Sequence, residues 1–337
     1  MGYSNTCRED LSQRAAYRKA SGTAFGFTAA MESLPSYQRT IHESVDPKRK
    51  NTLGVQIREC IDSQEHPRTL PVVFGFDETG SMGAAPRTLQ QKLATLKGAT
   101  LRMGLTDAQL CFAAYGDAQN DEIAPCQVGQ FESGIQMEDW LNNLYLEGNG
   151  GGNGGETSGL LLYFLANYTR LDSLTKRGKK GYLILTGDEC PHRKITRAEV
   201  KKYIGADIES DISIEEVIEH AKQSFEIYFF LVETGSALMQ GSLGVWQKLL
   251  GQDHVIAVEN LDTISEQTAL LLAQCEGTID SLDAGKDILV AEGADRADVD
   301  RASRALTPYV QAGSLVATAT GVGVLAVPAA SGGTRRL

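Results

Sequence analysis

At 337 residues, 42% of them apolar and 22% charged, the chain has an ordinary globular composition and exceeds a usual single core, which predicts one main domain with sizeable extensions. Its net charge of −11 excludes a large nucleic-acid-binding face, because such a face needs clustered Lys and Arg to neutralise phosphates. The six cysteines, Cys7, Cys60, Cys111, Cys126, Cys190 and Cys275, form no C-x-x-C pair, which excludes a disulfide scaffold or a structural zinc site and predicts free thiols in a reducing compartment.

Met1 to Asp10 is polar and lacks the apolar core of a signal peptide. No stretch reaches the roughly 20 apolar residues that span a bilayer, so the expectation is a cytoplasmic protein without membrane contact. Residues 1–69 are read as an N-terminal extension. Within it, Ala24 to Met31 suits a short strand or helix, and Leu53 to Ile61 alternates like a strand with Val55, Ile57 and Cys60 inward. From residue 70 to 276 the pattern becomes one of apolar strands alternating with amphipathic helices. The expected strands are Pro71 to Phe76, Ala108 to Tyr115, Gly181 to Thr186, Phe225 to Val232 and His254 to Val258, with Gln127 to Phe131 as an edge strand. Helices are expected from Pro86 to Met103, Met137 to Leu144, Thr157 to Thr169, Ile212 to Ala221, Ala237 to Leu250 and Ile264 to Cys275. Such alternation predicts an α/β fold, a Rossmann-like, doubly wound and mostly parallel sheet with helices on both faces. Residues 277–337 are read as a C-terminal extension, in which Asp280 to Ala305 suits a helix. Gly313 to Ala330 is apolar and suits a strand or clip docked on this protein or a partner, with disorder as the competing reading.

Three loops that follow strands hold the chemistry-bearing residues: Asp77 to Ser81, Glu147 to Thr157, and Gly187 to His192. A parallel sheet projects all three from one edge, where open α/β sheets bind ligands. Asp77, Thr79 and Ser81 offer oxygens at alternate positions, Asp188 adds a second carboxylate, and the second loop can add Asn153, Glu156 or Thr157. Oxygen donors of this kind suit Mg²⁺, which takes about six oxygens at roughly 2.1 Å and keeps several waters, leaving room for a ligand's carboxylate. The bland reading of the first loop is a polar turn in which Thr79 or Ser81 caps the next helix.

The order of an apolar strand, Asp77-Glu78-Thr79-Gly80-Ser81-Met82, a glycine-rich loop and a strand ending in Gly187-Asp188 resembles the von Willebrand factor A domain with its metal-ion-dependent adhesion site. The resemblance spans Pro71 to Cys275. It implies that Asp77, Thr79 and Ser81 match the family's D-x-[ST]-x-S loop and that Asp188 matches its third-loop aspartate. For the second loop it implies Asn153 first and Thr157 second, from the alignment of Gly151 to Glu156 with the family's glycine-rich loop. Leu146-Glu147-Gly148 and Gly187-Asp188-Glu189 are similar to an intracellular bacterial and phage branch. The resemblance implies a bound Mg²⁺, with Mn²⁺ or Ca²⁺ as substitutes, a protein partner presenting Asp or Glu, and work with a MoxR-type AAA+ ATPase.

Rival chemistries read the same residues differently. A haloacid-dehalogenase-like phosphatase would use Asp77 as nucleophile and needs a general acid two residues later, where Thr79 stands. A serine-hydrolase elbow needs G-x-S-x-G, and Thr79 takes the place of its first glycine. Gly150 to Gly155 meets the dinucleotide fingerprint, but so dense a glycine run does so easily, and it lies far from the first strand of the domain. Cys190-Pro191-His192 lacks a second soft pair, which gives His192 a supporting or structural role. Asp117 is either a turn residue or a support for the site. The sequence thus predicts a non-enzymatic, Mg²⁺-dependent interaction module, with a phosphohydrolase or an assembly subunit clipped into a homo-oligomer by the C-terminal tail as alternatives.

Overall fold

The computed structural model describes residues 26–48, 57–93, 95–120, 122–134, 136–149, 154–232, 239–311 and 315. Cys7, Val55, Asn153 and nearly all of the apolar tail lie outside the described residues.

The fold is built on a six-stranded sheet. Five of its strands are parallel: β2 (Leu70–Asp77), β3 (Ala108–Tyr115), β6 (Gly181–Gly187), β9 (Phe225–Val232) and β10 (Val255–Val258). The edge strand β4 (Cys126–Val128) runs antiparallel to β3. Spatial order is β10-β9-β6-β2-β3-β4. The chain therefore leaves β2 toward β3 on one side and later returns to place β6 on the other. This reversal opens a crevice at the carboxyl end of β2, where doubly wound sheets bind their ligands.

Alternation along each strand divides the core between two layers, as the pleat requires. Val72, Phe74 and Phe76 face one layer, whereas Val73 faces the other. The first layer holds helices α2 (Ala85–Leu93), α3 (Leu96–Arg102), α10 (Ile264–Glu276), α11 (Leu282–Ala291) and α12 (Arg296–Gln311). The second holds α5 (Ser158–Tyr168), α8 (Ile214–Ala221) and α9 (Met239–Leu250). Gly75 permits the close approach of α5, since a Cβ there would lie 2.7 Å from Leu161 Cδ2 and 3.0 Å from Leu185 Cδ2.

The sequence pattern predicts this doubly wound α/β sheet, and the structure differs from it in particular elements. The single helix expected from Pro86 to Met103 is two helices. Thr95 ends the first by donating its N–H (2.9 Å) and its hydroxyl (2.7 Å) to the Lys92 carbonyl, which also accepts from the Ser265 hydroxyl of α10 (2.7 Å). Leu53 to Ile61 holds, among its described residues, only the short strand β1 (Arg58–Cys60). It pairs outside the main sheet with β5 (Thr169–Leu171), which leads into α6 (Asp172–Arg177), and neither β5 nor α6 is expected from periodicity. Another small ribbon pairs β7 (Lys194–Ile195) with β8 (Ile212–Ser213), around the short helical segment α7 (Arg197–Glu199). Ala24 to Met31 resolves to the helix α1 (Gly26–Glu32), and α4 (Met137–Asn142) stops short of Leu144. The helix expected over Asp280 to Ala305 is divided at Gly293, whose φ of 94° is left-handed. Leu282, Leu289, Val299, Ala302 and Leu306 on its two halves join the same apolar cluster as the sheet.

Candidate functional site

Asp77 ends β2 and is 1% exposed, with β3 on one side and β6 on the other. Its Oδ1 accepts from the Thr79 N–H (2.8 Å) and the Thr79 hydroxyl (2.6 Å), a turn that spacing two residues apart makes locally. The Glu78 N–H meanwhile donates to the Tyr115 carbonyl (2.9 Å), which holds the turn against β3. The Thr79 and Ser81 hydroxyls are 3.2 Å apart, and Ser81 Oγ donates to Asp188 Oδ1 at 2.9 Å. Asp77, Thr79, Ser81 and Asp188 thus form one connected set. Ser81 is half-buried and Gly80 exposed, so the set opens to solvent on that side. Asp77 Oδ2 is buried and has no hydrogen-bond partner.

Room for this cluster depends on Gly187. A Cβ there would stand 2.7 Å from the Tyr115 hydroxyl and 3.2 Å from Asp77 Oδ2. The third loop is fixed from below by Trp246 of α9. Its indole N–H donates to the Glu189 carbonyl (3.0 Å) while its ring stacks on Phe229 at 4.1 Å.

The second loop joins the site by a different route from the one the sequence suggests. Asn153 lies outside the described residues. Thr157 is buried beside β3: its N–H donates to the Gly116 carbonyl (2.9 Å), and its hydroxyl accepts from the Ala118 N–H (2.8 Å). Its neighbour Glu156 is stitched to the third loop. The Glu156 N–H donates to the Cys190 carbonyl (2.8 Å), and the Glu156 carbonyl accepts from the His192 N–H (2.9 Å). Both carboxylate oxygens of Glu156 are buried without partners. His192 and Asp117 are partners of each other, Nε2 to Oδ1 at 2.9 Å, and Asp117 also accepts from the Gln119 N–H (2.9 Å) in its own turn.

Beneath the first loop lie further acids. Glu78 is fully buried, and its Oε2 accepts from the N–H groups of Glu147 and, at 3.2 Å, Gly148. The Gly80 N–H donates to the Asn149 carbonyl (2.8 Å), so three hydrogen bonds lace the start of the glycine-rich loop to the first loop. Glu122 accepts from the Asp117 N–H, and Glu147 Oε2 accepts from Ile123 (2.8 Å) and Ala124 (3.2 Å). Glu78 Oε1 and Glu122 Oε1 are buried and unpartnered. Glu78 stands beside Asp77 in the sequence and Glu147 opens the second loop, whereas no sequence signal marks Glu122.

Burial is the main cause that raises the carboxyls of Asp77, Glu78, Glu122, Glu156 and Glu189 above their ordinary values. The Thr79 hydrogen bonds oppose the rise at Asp77, while Asp188 and Glu189 add to it. At Glu156 the negative neighbours are Asp77, Asp117, Glu189 and Glu122. His192 opposes the rise at Glu189. The site is a buried, oxygen-lined concentration of carboxyl groups with the Thr79 and Ser81 hydroxyls beside Asp77 and Asp188.

That chemistry fits a hard divalent cation, which prefers oxygen donors and would meet the bare Asp77 Oδ2. No group of three or more His, Cys, Asp or Glu among the described residues stands close enough together to hold a metal by itself. The arrangement instead mixes carboxylates with the hydroxyls of Thr79 and Ser81. No helix among the described residues is long and apolar enough to cross a membrane.

No family model and no curated protein matches the sequence. Among solved structures, the chain is similar to the pilus adhesin SpaC of Lactobacillus rhamnosus GG in an open conformation, with TM-score 0.44 and 12% identity over 67% of this chain and 31% of that one. It is also similar to the vWF domain of the type V pili tip protein Mfa5 of Porphyromonas gingivalis, with TM-score 0.41 and 11% identity over 60% of this chain and 95% of that one. The PilB minor pilin of Streptococcus sanguinis gives TM-score 0.40 and 10% identity over 69% of this chain and 65% of that one. The chain spans about a third of the length of SpaC. At such identity and overlap these likenesses carry no argument about what the chain binds.

Proposed function

We propose that this chain is a non-catalytic, Mg²⁺-dependent protein-interaction module of the von Willebrand factor A type. Asp77, Thr79, Ser81 and Asp188 hold the ion, and the second loop, with Asn153 or Thr157, completes the set. The observation that supports this reading is the bare, buried Asp77 Oδ2, in a carboxylate whose other oxygen is tied through Thr79 and Ser81 to Asp188. A buried carboxylate oxygen without donor or cation is costly, so a site built this way is built for a positive charge. When bound, Mg²⁺ supplies a hard positive centre that an outside carboxylate can join; Mn²⁺ or Ca²⁺ suits the same oxygens.

The chain's own residues set the terms of that encounter. Thr79 presents its hydroxyl to Asp77 and holds that side chain in place, which is a positioning task and not proton delivery. Ser81 and exposed Gly80 form the mouth through which a partner's Asp or Glu reaches the site. A MoxR-type AAA+ ATPase and self-assembly through the C-terminal tail belong to this reading as proposed partners.

Isothermal titration with Mg²⁺ on wild type and Asp77→Ala tests it. Binding by wild type that disappears in the variant is expected, and indistinguishable titrations sink the reading. Capture of a partner that depends on Mg²⁺ and fails with Asp77→Ala would extend it to protein binding.

A further inference from the structure

We infer that Thr28, from the helix α1 that precedes the main sheet, is a positioning residue for the second loop of the cation site. Its bearing on Mg²⁺ affinity rests on the cation-site reading above, whereas its hold on the loop does not.

Leu144, Tyr145 and Leu146 lead into the glycine-rich loop and alternate as a strand does. Leu144 and Leu146 join the apolar cluster of the sheet, and Tyr145 packs with Met31 and Phe27 of α1. Phe27 meets the Tyr145 ring edge-on, with 6.3 Å between centroids. No strand among the described residues pairs with this segment, and two side chains stand in for the neighbours it lacks. Thr28 Oγ1 donates to the Leu144 carbonyl (3.1 Å) and accepts from the Leu146 N–H (3.0 Å). The Gln127 amide of β4 donates to the Tyr145 carbonyl (2.8 Å) and accepts from the Tyr145 N–H (2.7 Å). Both side chains are fully buried, so the backbone groups they serve have no water to turn to.

Directly after this clamp come the Glu147 and Gly148 N–H groups that donate to Glu78, and the Asn149 carbonyl that accepts from Gly80. Gly148 to Gly155 holds six glycines, which offer no side chains to fix a path and lose much conformational entropy on ordering. The entry of the loop is therefore set from outside, and the Thr28 hydroxyl is one of the groups that set it. Filling the core would not require that hydroxyl, since Val has nearly the same shape. The helix α1 also reaches α2, which follows the first loop, through an ion pair of Glu32 with Arg87. A segment read from sequence as an extension thus touches the elements that carry two of the three loops.

The test uses the full chain. Mg²⁺ titration by calorimetry, hydrogen exchange across Leu146 to Gly148 by mass spectrometry, and thermal unfolding are compared for wild type, Thr28→Val, Thr28→Ser and Asp62→Asn. Thr28→Val is expected to bind Mg²⁺ about tenfold more weakly, the scale on which groups behind the ligands act, and to exchange those amides at least about tenfold faster. Thr28→Ser keeps the hydroxyl and should return both readings toward wild type. Asp62→Asn should melt lower yet keep wild-type affinity, which separates loss of position from loss of stability. Wild-type affinity in Thr28→Val overturns the inference whatever its melting temperature, and so does a loss in Thr28→Ser as large as that in Thr28→Val. If wild type itself binds no Mg²⁺, the cation-site reading falls and exchange alone decides: unaltered protection of Leu146 to Gly148 in Thr28→Val overturns the inference, and lost protection upholds the hold on the loop. Should Thr28→Val not fold, Thr28→Ala, which removes the same hydroxyl and favours the helix, is read by the same criteria.

Discussion

The hydroxyl of Ser81 donates to Asp188 Oδ1 at 2.9 Å across a separation of 107 residues. This one bond joins the loop after β2 to the loop after β6, and it lies at the mouth of the crevice between them. Ser81→Ala removes it without emptying the core, so the fold should survive at a cost of about 1 kcal/mol. Mg²⁺ affinity should fall, because a ligand hydroxyl and the donor that orients Asp188 go together. Calorimetric titration beside a thermal melt checks this; unchanged affinity would remove Ser81 from the site.

The pH dependence of the metal-free protein follows from the raised carboxyls. Burial lifts Asp77 and Glu122 each to about 8, against an unfolded value of about 4. Between those limits the folded chain binds more protons than the unfolded one, so stability is greatest at the acid end and declines as pH rises. Mg²⁺ competes with those protons and should raise the melting temperature more at pH 8 than at pH 5. Melts in chelator and in Mg²⁺ at both pH values provide the check. A metal-free melting temperature that climbs from pH 5 to pH 8 contradicts the expectation.

Glu78 allows a stabilising substitution to be forecast. In Glu78→Gln the amide oxygen still accepts from Glu147 and Gly148, and an ionisable group that burial and Glu122 both disfavour as a carboxylate is removed. The folded chain then no longer has to hold that acid against its preferred ionisation at neutral pH, which should raise metal-free stability by about 1 kcal/mol. Glu78→Ala removes both loop contacts and should lower it. Chemical denaturation ranks the three proteins, and Glu78→Gln ranking below wild type would refute the account.

Far from the site, Arg177 forks onto Asp62 (2.6 and 3.1 Å), which also accepts from the Thr69 hydroxyl at 2.8 Å. The Arg177 hydrogen bonds are the largest cause that holds the Asp62 carboxyl well below its usual range. A lowered acid stabilises the fold at neutral pH, and the contribution is lost as pH falls below about 4 toward the folded value. Asp62→Asn should therefore cost about 1–2 kcal/mol at pH 7, a paired and partly screened carboxylate being worth that much, and the difference from wild type should shrink below about pH 3. Denaturation at the two pH values measures it. This variant should leave Mg²⁺ binding unchanged.

Much of the fold was legible because its causes are local. An apolar run such as Leu70–Asp77 makes a strand buried on both faces, and the spacing of Leu89 and Leu93 makes a helix face. The break at Thr95 was not legible, since the carbonyl that receives its bonds is shared with Ser265, 170 residues away. Likewise β1 and β5 are too short to announce themselves and exist because they pair with each other.

The site divides in the same way. Asp77, Thr79 and their mutual hydrogen bonds were determined by the sequence alone, because a spacing of two residues in a turn brings those groups together whatever surrounds them. What the tertiary structure decided is which distant groups meet them. Strand order set Asp188 against Ser81, turned Thr157 toward Ala118, and carried Glu156 to the third loop. The reason is physical: burial and long-range pairing depend on which strands lie side by side, and that information is absent from any window of residues short enough to be read by its period.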